Sequence, residues 1–198
     1  MDDFKIMLFG GEGFLGKGLQ DELDKRDIAF KSIDIMKDGI DLADETCIGK
    51  CVEELSDVTH VVLLASKVGA VLFNDDSKAE EAYKENKAIA KNVLTAVRQA
   101  ALRYNKKFSF TYYSSCELFG NVDLKSKDES KPYIISTSKK RYLYSKAKAD
   151  FEEELKALLK CNDSPLSDVK IIRPFNVYGK GQKRGVAWKM IYDGLTKK

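Results

Sequence analysis

The chain has 198 residues, 43% of them apolar and 33% charged, with a formal net charge of +3; that is enough for one well-packed domain with little left for a second. Lysines and acids interleave along most of the length, which excludes the one-signed field of a nucleic-acid binder. The opening MDDFKIML carries acids where a secretory signal carries basic residues, no apolar stretch approaches the roughly 20 residues of a membrane span, and the cysteines show no paired CxxC spacing, so reduced thiols and a cytoplasmic location are expected.

Residues Phe4 to Phe9 read as a buried strand. FGGEGFLG then places four glycines in eight residues, Phe9 to Gly16, and Leu15, Leu19 and Leu23 recur behind them as one apolar helix face. The loop has two glycine registers, Gly11-x-Gly13-x-x-Gly16 and Gly10-x-x-Gly13-x-x-Gly16. In both, glycines let a backbone approach closely, and the helix start at Phe14 and Leu15 offers N–H groups and a positive dipole end to a pyrophosphate. IAFKSIDI gives a second strand ending at Asp34, 24 residues beyond Gly10. An acid there accepts hydrogen bonds from a ribose 2′-hydroxyl and repels a 2′-phosphate, which favours NAD over NADP.

Asp44 is placed to cap a helix running through Val52 to Leu55. Cys47 and Cys51 share a face of it, without the spacing of a structural metal site. HVVLLAS, which opens on the only histidine, His60, reads as a third parallel strand. A long helix follows from about Ser77 to Tyr104, with Ala82, Ile89, Val93, Val97 and Ala101 near one stripe. KFSFTYY is the next strand, and Gly120 to Ser138 reads as a polar surface loop. From about Tyr142 a helix runs to Lys160, with Ala147, Phe151 and Leu155 facing inward, and VKIIRPF is the following strand. GVAWKMIYDGLTKK reads as an amphipathic helix with nothing after it to pack against. The alternation predicts an α/β fold, a doubly wound parallel sheet of the Rossmann type with right-handed connections.

Two further stretches carry chemistry. YYSSCELFG ends a strand, where α/β sites collect their ligands, and places Ser114 or Ser115 to hydrogen-bond a substrate hydroxyl. In YSKAK, Tyr144 and Lys148 are four apart and share a helix face. A lysine cation beside a phenol favours phenolate and lowers its pKa from about 10 toward the working range of a general base. Tyr142 and Lys146 form a competing pair at the same spacing.

Glycine loop, serine, then Tyr-x-x-x-Lys is the order in which the chain resembles the extended short-chain dehydrogenase/reductase family, the nucleotide-sugar epimerases and dehydratases, over nearly all its length. GGEGFLG is similar to that family's GxxGxxG, LLASKVGA to hLAAxVG, and ENKAIAKNVL to xNvxgTxNlL, which puts Asn86 at the family's asparagine. SSCELFG is similar to SSsevyG, YSKAK to YgxSK, and RPFNVYGKGQ to RpfNvyGPgQ.

The resemblance implies the Gly10, Gly13, Gly16 register, with Gly11 a helper in the turn. It puts Ser115 at the catalytic Ser/Thr position. It also selects Tyr144 and Lys148, because Glu152 and Leu155 then fall at the family's glutamate and leucine. Carried over, Tyr144 takes a sugar hydroxyl proton while hydride passes to the nicotinamide, Lys148 holds the nicotinamide ribose, and Ser115 orients the hydroxyl. Ala65, Ser66 and Asn86 join Gly10, Gly13, Phe14, Leu15, Gly16 and Asp34 about the cofactor, and Asn176 meets the nucleotide diphosphate. Where family dehydratases carry Asp-Glu after the Ser/Thr, this chain has Cys116-Glu117, which disfavours a plain 4,6-dehydratase and leaves Glu117 to move protons.

The expected organisation is an NAD(P)-binding domain over residues 1–180, with 181–198 the start of a truncated substrate-binding region. The expected partners are a nucleotide-diphosphate sugar and a second copy of the chain, joined through the helices starting near Ser77 and Tyr142, with neither nucleic acid nor membrane. The alternative reading is a non-catalytic dinucleotide-binding module, a sensor or partner subunit that retains the fold.

Overall fold

The computed structural model describes residues 4–68, 76–120, 139–182 and 186–196. Five strands, β1 (Lys5–Phe9), β2 (Ala29–Ile33), β3 (His60–Leu63), β4 (Phe108–Tyr113) and β5 (Leu166–Ile172), form one sheet in the order β2-β1-β3-β4-β5, every pair parallel. The helices are α1 (Phe14–Lys25), α2 (Ile35–Asp38), α3 (Cys47–Glu54), α4 (Asp76–Tyr104), α5 (Lys139–Leu159) and α6 (Val186–Thr196).

β1 is buried on both faces, which is why its sequence reads as an unbroken apolar run. Met7 and Phe9 join Val61, Leu63, Phe108, Phe110 and Tyr112 on one face, under α3, α4 and α5. Ile6, Leu8 and Val62 meet Leu23 of α1 on the other. The chain therefore winds helices onto both faces, and the strand order reverses between β1 and β3. Ligands of open parallel sheets collect at such a point, beyond the C-terminal ends of the strands.

β5 is different. Its side chains alternate, Val169 packing on the core while Asp168 and Lys170 face outward as an ion pair at 2.6 Å, so this strand is buried on one face only.

The expected strands and long helices lie within a few residues of their spans. Asp44 differs: its Oδ1 accepts from Thr46 N at 2.9 Å, and α3 begins only at Cys47, so Asp44 turns the chain before the helix rather than capping it. α2 was not anticipated. It is a single turn that exists because Asp34 caps it through Met36 N at 2.9 Å and Gly39 ends it at φ 66°. Cys47 and Cys51 are both buried in the core, where burial pushes the Cys51 thiol up to about 12. The polar stretch 121–138 lies outside the described residues. Among the described helices, none is long and apolar enough to cross a membrane.

Candidate functional site

The glycine loop joins β1 to α1 at the reversal of strand order. Gly10 has φ +94°, and a Cβ there would sit 2.6 Å from Ala65 Cα at the end of β3, so only glycine serves. A Cβ on Gly16 would lie 2.6 Å from Gly11 C and 2.7 Å from Gly10 O, because α1 presses against the loop. Gly11 is less constrained, since a Cβ there would meet only side-chain atoms, Ser32 Oγ of β2 and Gln20 Nε2, the latter at 3.0 Å, and those ends can swing away. Gly13 has no such reason: its φ is −67°, and a Cβ would meet nothing nearer than Gly10 O at 3.7 Å.

Gly13 is the N-cap of α1 and no side chain caps the helix. The first-turn N–H groups at Phe14, Leu15 and Gly16 therefore point out at an exposed glycine, with the positive end of the helix dipole behind them. The protein leaves room at the one loop glycine that its own packing does not demand. That cradle fits a phosphate.

Asp34 stands at the end of β2 with both carboxylate oxygens engaged. Oδ1 accepts from Met36 N and Oδ2 from Glu12 N, each at 2.9 Å. The residue that would face an adenosine ribose therefore also fixes the glycine loop. The Asp38 carboxylate accepts from Asp34 N at 3.1 Å, so two acids crowd this corner.

Ala65 seals Gly10 from the β3 side. Ser66 Oγ donates to Asn86 Oδ1 at 3.0 Å, and Lys67 N donates to the same oxygen at 2.7 Å. Asn86 Nδ2 donates to Lys67 O at 3.1 Å. The Asn86 amide, buried on α4, thus holds the segment leaving β3 in place beside the loop.

At the end of β4, Ser115 caps a 3-10 turn, Cys116–Phe119, its Oγ accepting from Glu117 N at 3.2 Å. Ser115 also hydrogen-bonds the Tyr144 phenol, which pulls the tyrosine pKa down, while Glu117 and Cys116 lie near enough to push it up. Lys148 is 4% exposed. Its Nζ donates to Tyr113 O at 2.9 Å and lies 5.9 Å from the centre of the Tyr144 ring and 5.0 Å from that of Tyr112. The structure therefore gathers Ser115, Glu117, Tyr144 and Lys148 at one strand end. The competing Tyr142 is 40% exposed, and Lys146 turns out to Asp150 at 3.0 Å.

The protonation of this group differs from the expectation. Burial, the largest influence, pushes Tyr144 up to about 12, against the Ser115 hydrogen bond, and pushes Lys148 down to about 7, against the Glu152 charge. The phenol is not lowered, because burial is the largest influence on it and the Glu117 and Cys116 charges act in the same direction, against the Ser115 hydrogen bond alone.

Beyond β5 the chain turns back over the same edge. Asn176 is exposed, Phe175 stacks on Phe119 with centroids 6.1 Å apart, and a Cβ on Gly179 would lie 3.9 Å from Phe14 of the glycine loop. One feature exceeds what residue spacing conveys. Glu152 on α5 forms a buried bidentate pair with Arg173 at the exit of β5, and only their presence in recognisable stretches of sequence points to them.

No curated protein sequence matches the chain. Solved structures resemble it in fold. A Thermus thermophilus UDP-glucose 4-epimerase in complex with NAD superposes with a TM-score of 0.76 at 22% identity, over 96% of this chain and 61% of that one. An NAD-dependent NDP-hexosamine 5,6-dehydratase of tunicamycin biosynthesis gives 0.76 at 21% identity, over 98% and 62%. A Bacillus anthracis dTDP-4-dehydrorhamnose reductase in complex with NADP gives 0.74 at 21% identity, over 98% and 60%. The chain thus spans less than two thirds of the length of each. The model of the NAD dependent epimerase/dehydratase family matches residues 6–197, nearly the whole sequence, and the chain belongs to that family.

Proposed function

We propose that this chain is the cofactor-binding part of an NAD-dependent enzyme that transiently oxidises a hydroxyl of a nucleotide-diphosphate sugar. The observation that carries the reading is Gly13, a glycine that the protein's own packing does not require, at the mouth of an uncapped helix. In this reading the N–H groups of Phe14, Leu15 and Gly16 take the pyrophosphate, and Ala65 and Ser66 line the dinucleotide. Asp34 takes the adenosine ribose, Lys148 the nicotinamide ribose and Asn176 the sugar nucleotide. Asn86 acts by holding Ser66 and Lys67. The acids Asp34 and Asp38 at the ribose corner would repel a 2′-phosphate, which supports NAD over NADP.

The nicotinamide, when bound, supplies the hydride acceptor. Tyr144 takes the hydroxyl proton as phenolate, Ser115 donates a hydrogen bond that favours that phenolate, and Lys148 brings positive charge to the same face. Glu117, on the turn beside Ser115, is the group placed to move a second proton. Residues 181–198 belong in this reading to the start of the sugar-binding region. A homodimer is part of it too, through the outer faces of α4 and α5, where Lys87 and Lys91 lie beside Asp150 and Glu154.

The test is calorimetric titration with NAD and NADP, followed by a panel of sugar nucleotides with Tyr144→Phe as control. NAD binding with turnover that the variant loses supports the proposal; turnover unchanged in Tyr144→Phe would sink the mechanism. One observation favours a second reading, a non-catalytic dinucleotide-binding module: the resting pair has its phenol raised and its lysine lowered. Tight NAD binding with no turnover, and with an NAD affinity that no sugar nucleotide of the panel changes, selects that reading.

A further inference from the structure

Glu152 is fully buried on α5, four residues beyond Lys148 and eight beyond Tyr144, so the three follow one face of the helix. Arg173 donates Nε–H to its Oε1 at 3.0 Å and Nη2–H to its Oε2 at 2.6 Å. The guanidinium lies 5.2 Å from the centre of the Phe119 ring, which stacks on Phe175. One ion pair thus ties together the helix carrying Tyr144 and Lys148, the turn after Ser115, and the chain leaving β5. Taking both charges out of water is costly, and an apolar pair of the same shape would serve stability as well or better.

We propose that Glu152 is a positioning residue: clamped by Arg173, it sets a fixed negative charge one helical turn from Lys148 and holds the Tyr144 face of α5 against the exit of β5. The inference rests on reading Tyr144 and Lys148 as the reacting pair. Among the described residues, the charged and titratable groups facing Glu152 include Lys148 and Lys156 on α5, the latter at 3.8 Å, Arg173 just beyond β5 and Tyr112 from β4. Those facing Lys148 include, among the described residues, Glu152 and the rings of Tyr112 and Tyr144. The carboxylate is therefore shared. Arg173 takes its hydrogen bonds, while its field acts on Lys148 and favours the ammonium against burial.

The test follows the Lys148 ammonium directly, as the 13Cε resonance of labelled lysine, assigned by its loss in Lys148→Arg. In Glu152→Gln the titration midpoint of Lys148 should fall by about one pH unit, a tenfold loss of proton affinity. In Arg173→Lys, which loosens the clamp, it should rise, because more of the carboxylate's field is left to Lys148. A purely structural role would move both variants the same way, and that result, or an unmoved midpoint in Glu152→Gln, overturns the proposal. If Glu152→Gln does not fold, the double variant Glu152→Met, Arg173→Met keeps the volume without the charges and should show the same fall. Failure of the double variant to fold also overturns it, the pair then being structural support. NAD titration of the wild type separates this inference from the one beneath it: a shifted Lys148 in a protein that binds no dinucleotide leaves the positioning role standing and removes the cofactor reading.

Discussion

Gly16 lies so close to Gly11 that a Cβ on it would sit 2.6 Å from the Gly11 carbonyl carbon, whereas a Cβ on Gly13 would make only an ordinary contact, 3.7 Å from Gly10 O. The two substitutions to alanine should therefore fail differently. Gly16→Ala forces α1 away from the loop and should cost about 1–3 kcal/mol, read as a lower melting temperature at about 2–4 °C per kcal/mol for a chain of this size. Gly13→Ala should melt with the wild type and bind NAD at least about tenfold more weakly, a loss of about 1.4 kcal/mol. Equal NAD affinity in Gly13→Ala would remove the loop from the cofactor site.

Asp34 has two tasks, and its variants separate them. Asp34→Ala removes the acceptors of both Glu12 N and Met36 N and should cost about 0.5–2 kcal/mol, as loss of a helix cap does. Weaker NAD binding in that variant mixes a loosened loop with a lost ribose contact. Asp34→Asn keeps one acceptor and removes the charge, so the ratio of NADP to NAD affinity should rise by about tenfold or more. A ratio that does not move means that the acid does not choose the cofactor.

Lys148 links stability to pH in the direction opposite to a salt-bridged lysine. Its folded pKa of about 7 lies below the ordinary 10.5. At pH below about 7 both states carry the proton and the cost of burying the cation is present in full. Between about 7 and 10.5 the unfolded chain binds a proton that the folded chain does not, so stability rises with pH, by about 1.4 kcal/mol per unit within the window. The urea midpoint of the wild type should climb toward that of Lys148→Met between pH 7 and pH 9. Midpoints that stay a constant distance apart would show that the buried amine is not titrating there.

Asn86→Asp should loosen the segment leaving β3. Aspartate keeps the acceptor for Ser66 and Lys67 N but loses the donor to Lys67 O, and an unsatisfied partner costs about 1–3 kcal/mol. Amide exchange at Lys67 should quicken, with weaker NAD binding as the consequence. Exchange as slow as in the wild type would mean that the asparagine does not hold the segment.

The core strands were legible because burial on both faces leaves an unbroken apolar run, as in IMLF of β1 and VVL of β3. That the glycines join β1 to α1, and that Tyr144 and Lys148 share one helix, was legible as order along the chain. Protonation was not: the lowered phenol expected from i,i+4 spacing gives way to burial, which is set by the fold and not by spacing along the helix. α2 was hidden because four residues show no period, and its cap is the residue already read as the ribose acid. The Asn86 contacts cross 19 and 20 residues, so a local motif marks the asparagine without saying what it holds.

The glycine loop is tied down at three points: Gly10 N to Ile33 O, Gln20 Nε2 to Gly11 O, and Glu12 N to Asp34 Oδ2. A segment so tethered has little conformational freedom left to surrender when an anion arrives. Association of the proposed cofactor there should be a docking event and not a local folding event. Its rate should follow ligand concentration linearly, in one phase, without the plateau that a slow rearrangement imposes.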